Sequence, residues 1–120
     1  MIDFITRKIS ESEMVVQVSG QLDDVNRKYF FDCVADILET GIKHVVIDCT
    51  KLGHINSSGL AGLLTARKRA ASQGGKIYLT NLNSLISEVI ETTKLGRILS
   101  VFPTTDDALA SIREQPMCVG

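Results

Sequence analysis

The residues best suited to chemistry lie in one short segment, Asn56-Ser57-Ser58-Gly59. Their side-chain oxygens can accept hydrogen bonds from the free backbone N–H groups that begin a helix, and such a cap contributes about 1 kcal/mol. A cap uses one residue, whereas three consecutive cap-forming residues followed by a glycine exceed that need. The segment therefore predicts a helix start that also presents hydroxyl groups for another purpose.

Small residues continue at helical spacing beyond this segment, at Gly59, Gly62 and Ala66. Each glycine in a helix interior costs about 1 kcal/mol relative to alanine, so two glycines within the first turns favour a close backbone approach. That approach can be to the sheet or to a partner. The core face of the same helix is predicted to carry Leu60, Leu63, Leu64, Ala70 and Ala71.

Two histidines, His44 and His54, bring a serine hydrolase into consideration. The serine segment is not a G-x-S-x-G elbow, and a histidine three residues before a serine would have to fold back onto it. No histidine or cysteine spacing suits zinc, and the glycines match neither the dinucleotide-binding motif nor the P-loop. These patterns argue against an enzyme, a metal centre and a bound cofactor.

A further alternative is an aspartyl phosphoacceptor of the response-regulator kind, with Asp48 as the acceptor at the end of an apolar run. Asp23 and Asp24 would then hold Mg²⁺, and Thr80 would supply a hydroxyl group. Proteins of that kind need a lysine at the end of the last strand, where this chain has Phe102. An extra opening strand also moves the acidic pair to the wrong element. Both departures argue against this alternative.

Composition limits the remaining classes of function. The 120 residues are 44% hydrophobic, which is enough for the core of one domain. Their formal charge of −1 gives no net positive potential that would attract nucleic acid. No apolar run reaches the ~20 residues of a membrane span, the N-terminus does not resemble a signal peptide, and Cys33, Cys49 and Cys118 form no disulfide or metal pattern. We therefore expect a cytoplasmic protein, a monomer or weak dimer, without membrane insertion or direct nucleic-acid binding.

The elements that must position the serine segment alternate along the chain. Apolar, β-branched runs at 2–8, 14–19, 44–49, 76–80 and 98–102 predict strands, the second of them ended by Gly20. Apolar residues at 3,4 spacing predict four helices. The first lies between Asp24 and Gly41, with Tyr29 buried and Phe31 outside, and the second ends near Ser72. The third is capped by Asn83 or Ser84 and has Leu85 on its apolar face, and the fourth is capped by Thr104 or Thr105.

The resulting order is ββαβαβαβα, with an antiparallel hairpin at its start. Strands separated by helices imply right-handed crossovers and parallel pairing. We therefore predict a single α/β domain over residues 1–115 with helices packed on a mixed, mainly parallel sheet, and a frayed tail at 116–120.

Several motifs, taken in order, are similar to those of STAS domains and specifically of bacterial anti-sigma factor antagonists. The helix start from Asn56 to Leu64 resembles the family's [D/N]-S-[S/T]-G-L-x-x-L, and the segment from Gly20 to Asp23 resembles its G-E-L-D. The runs at 74–79 and 93–102 are also similar to the family's. The resemblance therefore covers nearly the whole chain.

The resemblance implies a phosphorylation-gated binding protein. The family's switch serine follows the acidic position of the motif, which places the switch at Ser57, with Ser58 as the alternative. It implies a partner anti-sigma factor that is a serine kinase, a serine phosphatase that reverses the modification, and an unphosphorylated form that binds the kinase and frees a sigma factor. The partner-binding residues that it implies are Asp23, Asn56, Ser57, Ser58, Gly59 and Gly62.

The chain departs from the family at Asn56, where the usual residue is aspartate. Asparagine cannot act as a base or an anion, and Asp23 is expected to lie nearby and supply part of the lost charge. The departure favours an alternative, a STAS module that docks constitutively on another protein, such as a transporter ATPase or a signalling complex. Late in the helix, Arg67-Lys68-Arg69 predicts either a solvated helix end or a surface for an acidic partner.

Overall fold

The computed structural model describes residues 2–114, and the predicted tail at 116–120 lies outside them. The predicted element order is confirmed. In chain order the elements are β1 Ile2–Lys8, β2 Glu13–Leu22, α1 Arg27–Glu39, β3 His44–Ile55, α2 Ser57–Ser72, β4 Lys76–Thr80, α3 Ser84–Thr92, β5 Ser100–Phe102 and α4 Thr105–Glu114, with a short 3₁₀ turn at Leu95–Arg97 that was not predicted.

The strands form one five-stranded sheet in the order β1-β2-β3-β4-β5. β1 and β2 are antiparallel, because only a short turn joins them. The other neighbours are parallel, because a helix separates each pair along the chain. The mixed, mainly parallel sheet with an opening hairpin is therefore confirmed.

Apolar residues from both faces of the sheet form the core. One face packs against α1, α2 and α3 through residues such as Val16, Ile47 and Leu79. The other face packs against α4, where Val46 and Tyr78 contact the first turns of that helix. The apolar run 44–49 is thus covered on both sides, as parallel central strands usually are.

Two strands are longer than predicted. β2 continues past Gly20 to Leu22, and the positive φ of Gly20 (102°) accompanies a shift of register, so this glycine bends the strand and does not end it. β3 continues past Cys49 to Ile55, through residues that the sequence places in a loop. The extra length arises because residues 51–55 pair with the end of β2.

Some helix details also differ from the prediction. α1 begins at Arg27 because the preceding residues form a turn, and Tyr29 is 60% exposed whereas Phe31 is half-buried. Leu85 on α3 is exposed as well. In α2, Ala71 is exposed and Ala66 is fully buried in its place. The 3,4 spacing identifies a helix, but it does not decide which residue at the border of the apolar face is buried. A turn contains 3.6 residues, so neighbouring positions at that border are nearly equivalent.

Candidate functional site

Asn56 is the residue on which α2 begins. It has extended backbone angles, and its side-chain oxygen accepts a hydrogen bond of 2.9 Å from the backbone N–H of Gly59. Its own backbone N–H donates to the carbonyl oxygen of Leu22, at 3.2 Å. Asparagine therefore supplies the same capping oxygen that aspartate would supply, and the helix start is formed without the charge.

Ser57 is the first residue of α2 and its side chain is exposed. In the described part of the chain its hydroxyl group makes no hydrogen bond to another residue. Ser58, the next residue, is half-buried. Of the two serines, Ser57 is thus the more accessible to another molecule.

Gly59 and Gly62 are both buried, and what lies against them answers the question that the sequence leaves open. A Cβ atom on Gly59 would collide with the backbone of Leu22 and would lie 2.8 Å from Cγ1 of Ile55. A Cβ atom on Gly62 would lie 3.1 Å from Cβ of Arg27. The close approach is therefore to the chain's own backbone and α1, and it draws the start of α2 against the end of β2.

Asp23 lies at this same edge of the sheet, directly after Leu22, which pairs with Ile55. Its carboxylate accepts hydrogen bonds from the backbone N–H groups of Val25 and Asn26, at 3.0 and 3.3 Å. Asn26 was not singled out from the sequence, yet it is buried and its amide returns to the backbone of Asp23 and Gln21. The Asp-x-x-Asn spacing is the signal for this turn, since both side chains bind nearby backbone groups.

The basic cluster late in α2 is largely engaged within the protein. The Arg67 guanidinium donates to the carbonyl oxygen of Ile98 at 2.9 Å, which ties α2 to the segment before β5. The Arg69 guanidinium pairs with Glu39 at 3.0 Å, which ties α2 to α1. Of the three side chains, Lys68 is exposed and the two arginines are half-buried, so this stretch acts mainly to hold neighbouring elements together.

Two hollows flank the serine end of α2. One, of about 400 Å³, lies between the end of β3 and α3, and its lining includes Ile55 and the exposed Leu85. The other, of about 340 Å³, lies between α1 and α2, and its lining includes Arg27, Phe31 and Gly62. Ser57 lines neither hollow, although Ile55 in the first lining and Gly62 in the second are close to it in the sequence.

The hydrolase constellation does not assemble. His44 and His54 lie at opposite ends of β3, about 33 Å apart at 3.3 Å per residue, and among residues 2–114 neither is hydrogen-bonded to Ser57 or Ser58.

Of the phosphoacceptor constellation only Asp48 and Thr80 come together, because the Asn81 amide donates to both. Asp48 pairs with Gln17 in the sheet, whereas Asp23 lies beyond the end of β2. Asp48 accepts hydrogen bonds from Thr50 and from the Asn81 amide. No group of three potential metal ligands occurs within the described residues.

The buried thiol is chemically quiet. Burial, reinforced by the charge of Asp48, raises the pKa of Cys49 to about 12. Burial and the nearby charge of Asp36 also raise the pKa of Cys33. Since the thiolate is the reactive form, both residues behave as small apolar groups. Cys118 lies outside the described residues.

Comparison with known proteins identifies the family. Residues 4–108 match the STAS domain, so the chain belongs to the STAS domain family. The anti-sigma-F factor antagonist RsfA of Mycobacterium tuberculosis is 23% identical over 103 residues, covering 84% of this chain and 80% of that protein. Anti-sigma factor antagonists of this family are generally non-catalytic.

Solved structures show the same fold. The crystal structure of an anti-sigma factor antagonist from Mycobacterium paratuberculosis superimposes with a TM-score of 0.83 at 23% identity, over 95% of this chain and 96% of that one. The Bacillus cell fate determinant SpoIIAA in its phosphorylated form gives a TM-score of 0.69 at 18% identity, over 92% of this chain and 100% of that one.

The strand order of this chain's sheet, β1-β2-β3-β4-β5, differs from the 2-1-3-4-5 order of flavodoxin-like folds, to which response regulators belong.

The described helices have no membrane-spanning character. Across residues 2–114, none combines the length and the apolar composition that crossing a bilayer requires.

Proposed function

We propose that this protein is an anti-sigma factor antagonist whose binding surface is switched by phosphorylation of Ser57. In its unphosphorylated form, in the cytoplasm, it binds an anti-sigma factor that is also a serine kinase, and a sigma factor is thereby released. A serine phosphatase restores the unphosphorylated form. The observation that carries the proposal is an exposed Ser57 at the start of α2, whose hydroxyl group has no hydrogen-bond partner among residues 2–114, in a chain that belongs to the STAS family.

Phosphorylation at this position would alter recognition and leave the fold intact. A phosphate adds about −1.5 to −2 charges, and a helix N-terminus tolerates negative charge, with a gain of roughly 0.3–1 kcal/mol. In an interface the same charge must lose its water, at a cost of several kcal/mol unless the partner supplies cations. Since each 1.4 kcal/mol corresponds to tenfold in affinity, the expected effect on binding is about a thousandfold.

The proposed partner surface centres on three side chains, with two glycines beneath them. Asp23, Ser57 and Ser58 lie at the rim where β2 and β3 end, with Asn56 capping the helix between them. Gly59 and Gly62 are buried, so their part in the surface is to hold α2 close to Leu22 and Arg27.

Mapping of phosphate by mass spectrometry, after incubation with serine kinases of the same cell, tests the site. We expect phosphate on Ser57 and none in the Ser57→Ala variant. Ser84 is an internal control, because it too is an exposed first residue of a helix capped by an asparagine. Equal phosphate on Ser84 would show reaction with any exposed helix start, which contradicts a dedicated switch at Ser57.

Calorimetry with the anti-sigma factor tests the consequence. We expect Ser57→Ala to keep the affinity of the unmodified protein and Ser57→Asp to weaken it. Ala110→Asp is the matched control, because it adds the same charge at an exposed position of α4, on the opposite face of the sheet. Equal affinities of the alanine and aspartate variants at position 57 would contradict the switch.

A second candidate function is constitutive docking on another protein without phosphorylation, and Asn56 is the residue that favours it. In that case no phosphate is found on Ser57. The negative charge of the Ser57→Asp variant then affects binding only by its own contact with the partner. A receiver-like phosphoacceptor is separated by chemistry, because phosphoserine survives acid whereas an aspartyl phosphate is labile.

A further inference from the structure

β1 is a long strand with one unpaired side. The sheet order leaves β1 and β5 at the edges, and β5 has only three residues whereas β1 has seven. Edge strands present a row of free N–H and C=O groups to other chains, and proteins commonly protect them by making them short. β5 is protected in this way, and β1 is not.

The side chains on one face of β1 are self-complementary. Asp3, Ile5 and Arg7 lie on one face of the sheet, the same face on which α4 packs against Val15, Val46 and Tyr78. All three are exposed, and Ile5 is 63% exposed. Within residues 2–114 neither Asp3 nor Arg7 has an ion-pair partner, and at 3.3 Å per residue they are about 13 Å apart and cannot pair with each other.

We propose that a second copy of this chain pairs with β1 in antiparallel fashion about Ile5, joining two five-stranded sheets into one. In this register Asp3 lies opposite Arg7 of the second copy, Arg7 lies opposite Asp3 of the second copy, and the two Ile5 side chains meet at the two-fold axis. Opposite charges and apolar pairs directly across two strands are stabilising. The interface is isologous, since each surface is its own complement.

Other registers lose this match. Antiparallel pairing about Phe4 places Asp3 opposite Ile5, and pairing about Thr6 places Ile5 opposite Arg7, so a charge faces an apolar side chain in both cases. On the other face of the strand, the rings of Phe4 and Tyr29 pack at a tilt of 48° with centroids 5.1 Å apart, and Tyr29 is 60% exposed. An exposed aromatic group beside the free edge gives the second copy a further apolar contact.

The proposed dimer is independent of the Ser57 switch. β1 is separated from β3 by β2, and Ser57 follows the end of β3. The pairing would therefore leave both Ser57 surfaces exposed, and loss of the dimer would leave the binding of one anti-sigma factor per chain unchanged.

Sedimentation equilibrium at low salt tests the pairing with charge exchange. We expect the unmodified chain to show a monomer–dimer equilibrium, and Asp3→Arg and Arg7→Asp each to weaken dimerisation about tenfold or more, equivalent to about 1.4 kcal/mol. Each single variant faces like charges in its homodimer, whereas an equimolar mixture of the two faces only opposite charges. The mixture should therefore form a heterodimer of nearly the original affinity.

Two further variants keep the test decisive. Asp3→Arg combined with Arg7→Asp restores both pairs within one homodimer, and this variant serves if a single variant fails to fold. Arg97→Asp is the matched control for Arg7→Asp, since Arg97 is exposed and lies in the 3₁₀ turn, and it should leave dimerisation unchanged. A chain that stays monomeric, a dimer indifferent to Asp3→Arg, or a mixture no more associated than its components would overturn the proposal.

Discussion

At the residue scale, the absence of a side chain at Gly59 allows the start of α2 to lie against the end of β2. The Cα of Gly59 lies against the backbone of Leu22, which no sequence pattern reveals, because the contact joins residues far apart in the chain. The motif Asn56-Ser57-Ser58-Gly59 is visible in the sequence, and so is the need for a small residue. Whether the glycine faces a partner or the protein itself is decided only when α2 is placed on the sheet.

We predict that Gly59→Ala destabilises the protein by about 1–3 kcal/mol, the usual cost of forcing an extra carbon into a packed region. The gain of about 1 kcal/mol that alanine brings to a helix interior does not compensate, because the backbone of Leu22 must move. The free energy of unfolding in urea measures the change. Gly53→Ala is the control: its Cβ atom would meet Gly20 at an ordinary 3.7 Å, and we expect a change within about 0.5 kcal/mol.

At the scale of elements, Asn81 is the residue that joins the middle of β3 and the end of β4 to α4. It follows β4, its φ is 58°, and its amide nitrogen lies 3.0 Å from a carboxylate oxygen of Asp48 and 3.1 Å from the hydroxyl oxygens of Thr80 and Thr105. The left-handed conformation suits asparagine and glycine. Asn81 therefore serves both the turn and the docking of the last helix.

Two substitutions separate these roles. We predict that Asn81→Gly costs about 1–3 kcal/mol, because the amide contacts to partly buried oxygens are lost. Asn81→Ala should cost about 1 kcal/mol more, since alanine must also hold a positive φ. Urea unfolding of the two variants measures both the free energy of the lost amide contacts and the cost of a positive φ. An alanine variant as stable as the glycine variant would show that the backbone conformation carries no strain.

The lengths of β2 and β3 are also decided between elements. Residues 50–55 read as a loop because they contain Gly53 and little apolar alternation, but they pair with the end of β2 and become strand. The extension brings Ser57 to the same rim as Asp23, which is where the proposed partner surface lies. Pairing partners are properties of the sheet and not of either segment alone.

At the scale of the whole molecule, the other end of the sheet gives the protein a pH dependence. Glu13, His44 and Lys76 are neighbours there, at the starts of β2, β3 and β4. Burial is the main cause that lowers the pKa of His44 below its ordinary 6.5; Lys76 acts in the same direction and Glu13 opposes it. A ring nitrogen of His44 lies 2.9 Å from the Tyr78 hydroxyl oxygen.

The lowered pKa of His44 fixes the sign of the effect. Between its folded and unfolded values the unfolded chain binds more protons, so stability is complete above the ordinary pKa of 6.5 and falls as the pH falls through it, levelling off below the folded-state value. We predict that His44→Gln loses this part of the slope in urea unfolding between about pH 8 and about pH 5. His54→Gln, altered at an exposed site at the other end of β3, should keep it, and equal slopes for the unmodified protein and His44→Gln would refute the assignment.

The sequence by itself determined the order of the elements, the mixed sheet and a helix start within Asn56-Ser57-Ser58-Gly59, because these depend on local periodicity, capping and connection length. It left open which of the three polar residues there is the cap. The structure assigns the cap to Asn56, so the hydroxyl group of Ser57 is not needed for one. Only the tertiary structure decided that Gly59 packs on Leu22, that Tyr29 is exposed and that Arg69 pairs with Glu39. Those outcomes depend on which distant segments meet, and the free energy of such contacts appears only once the sheet has brought them together.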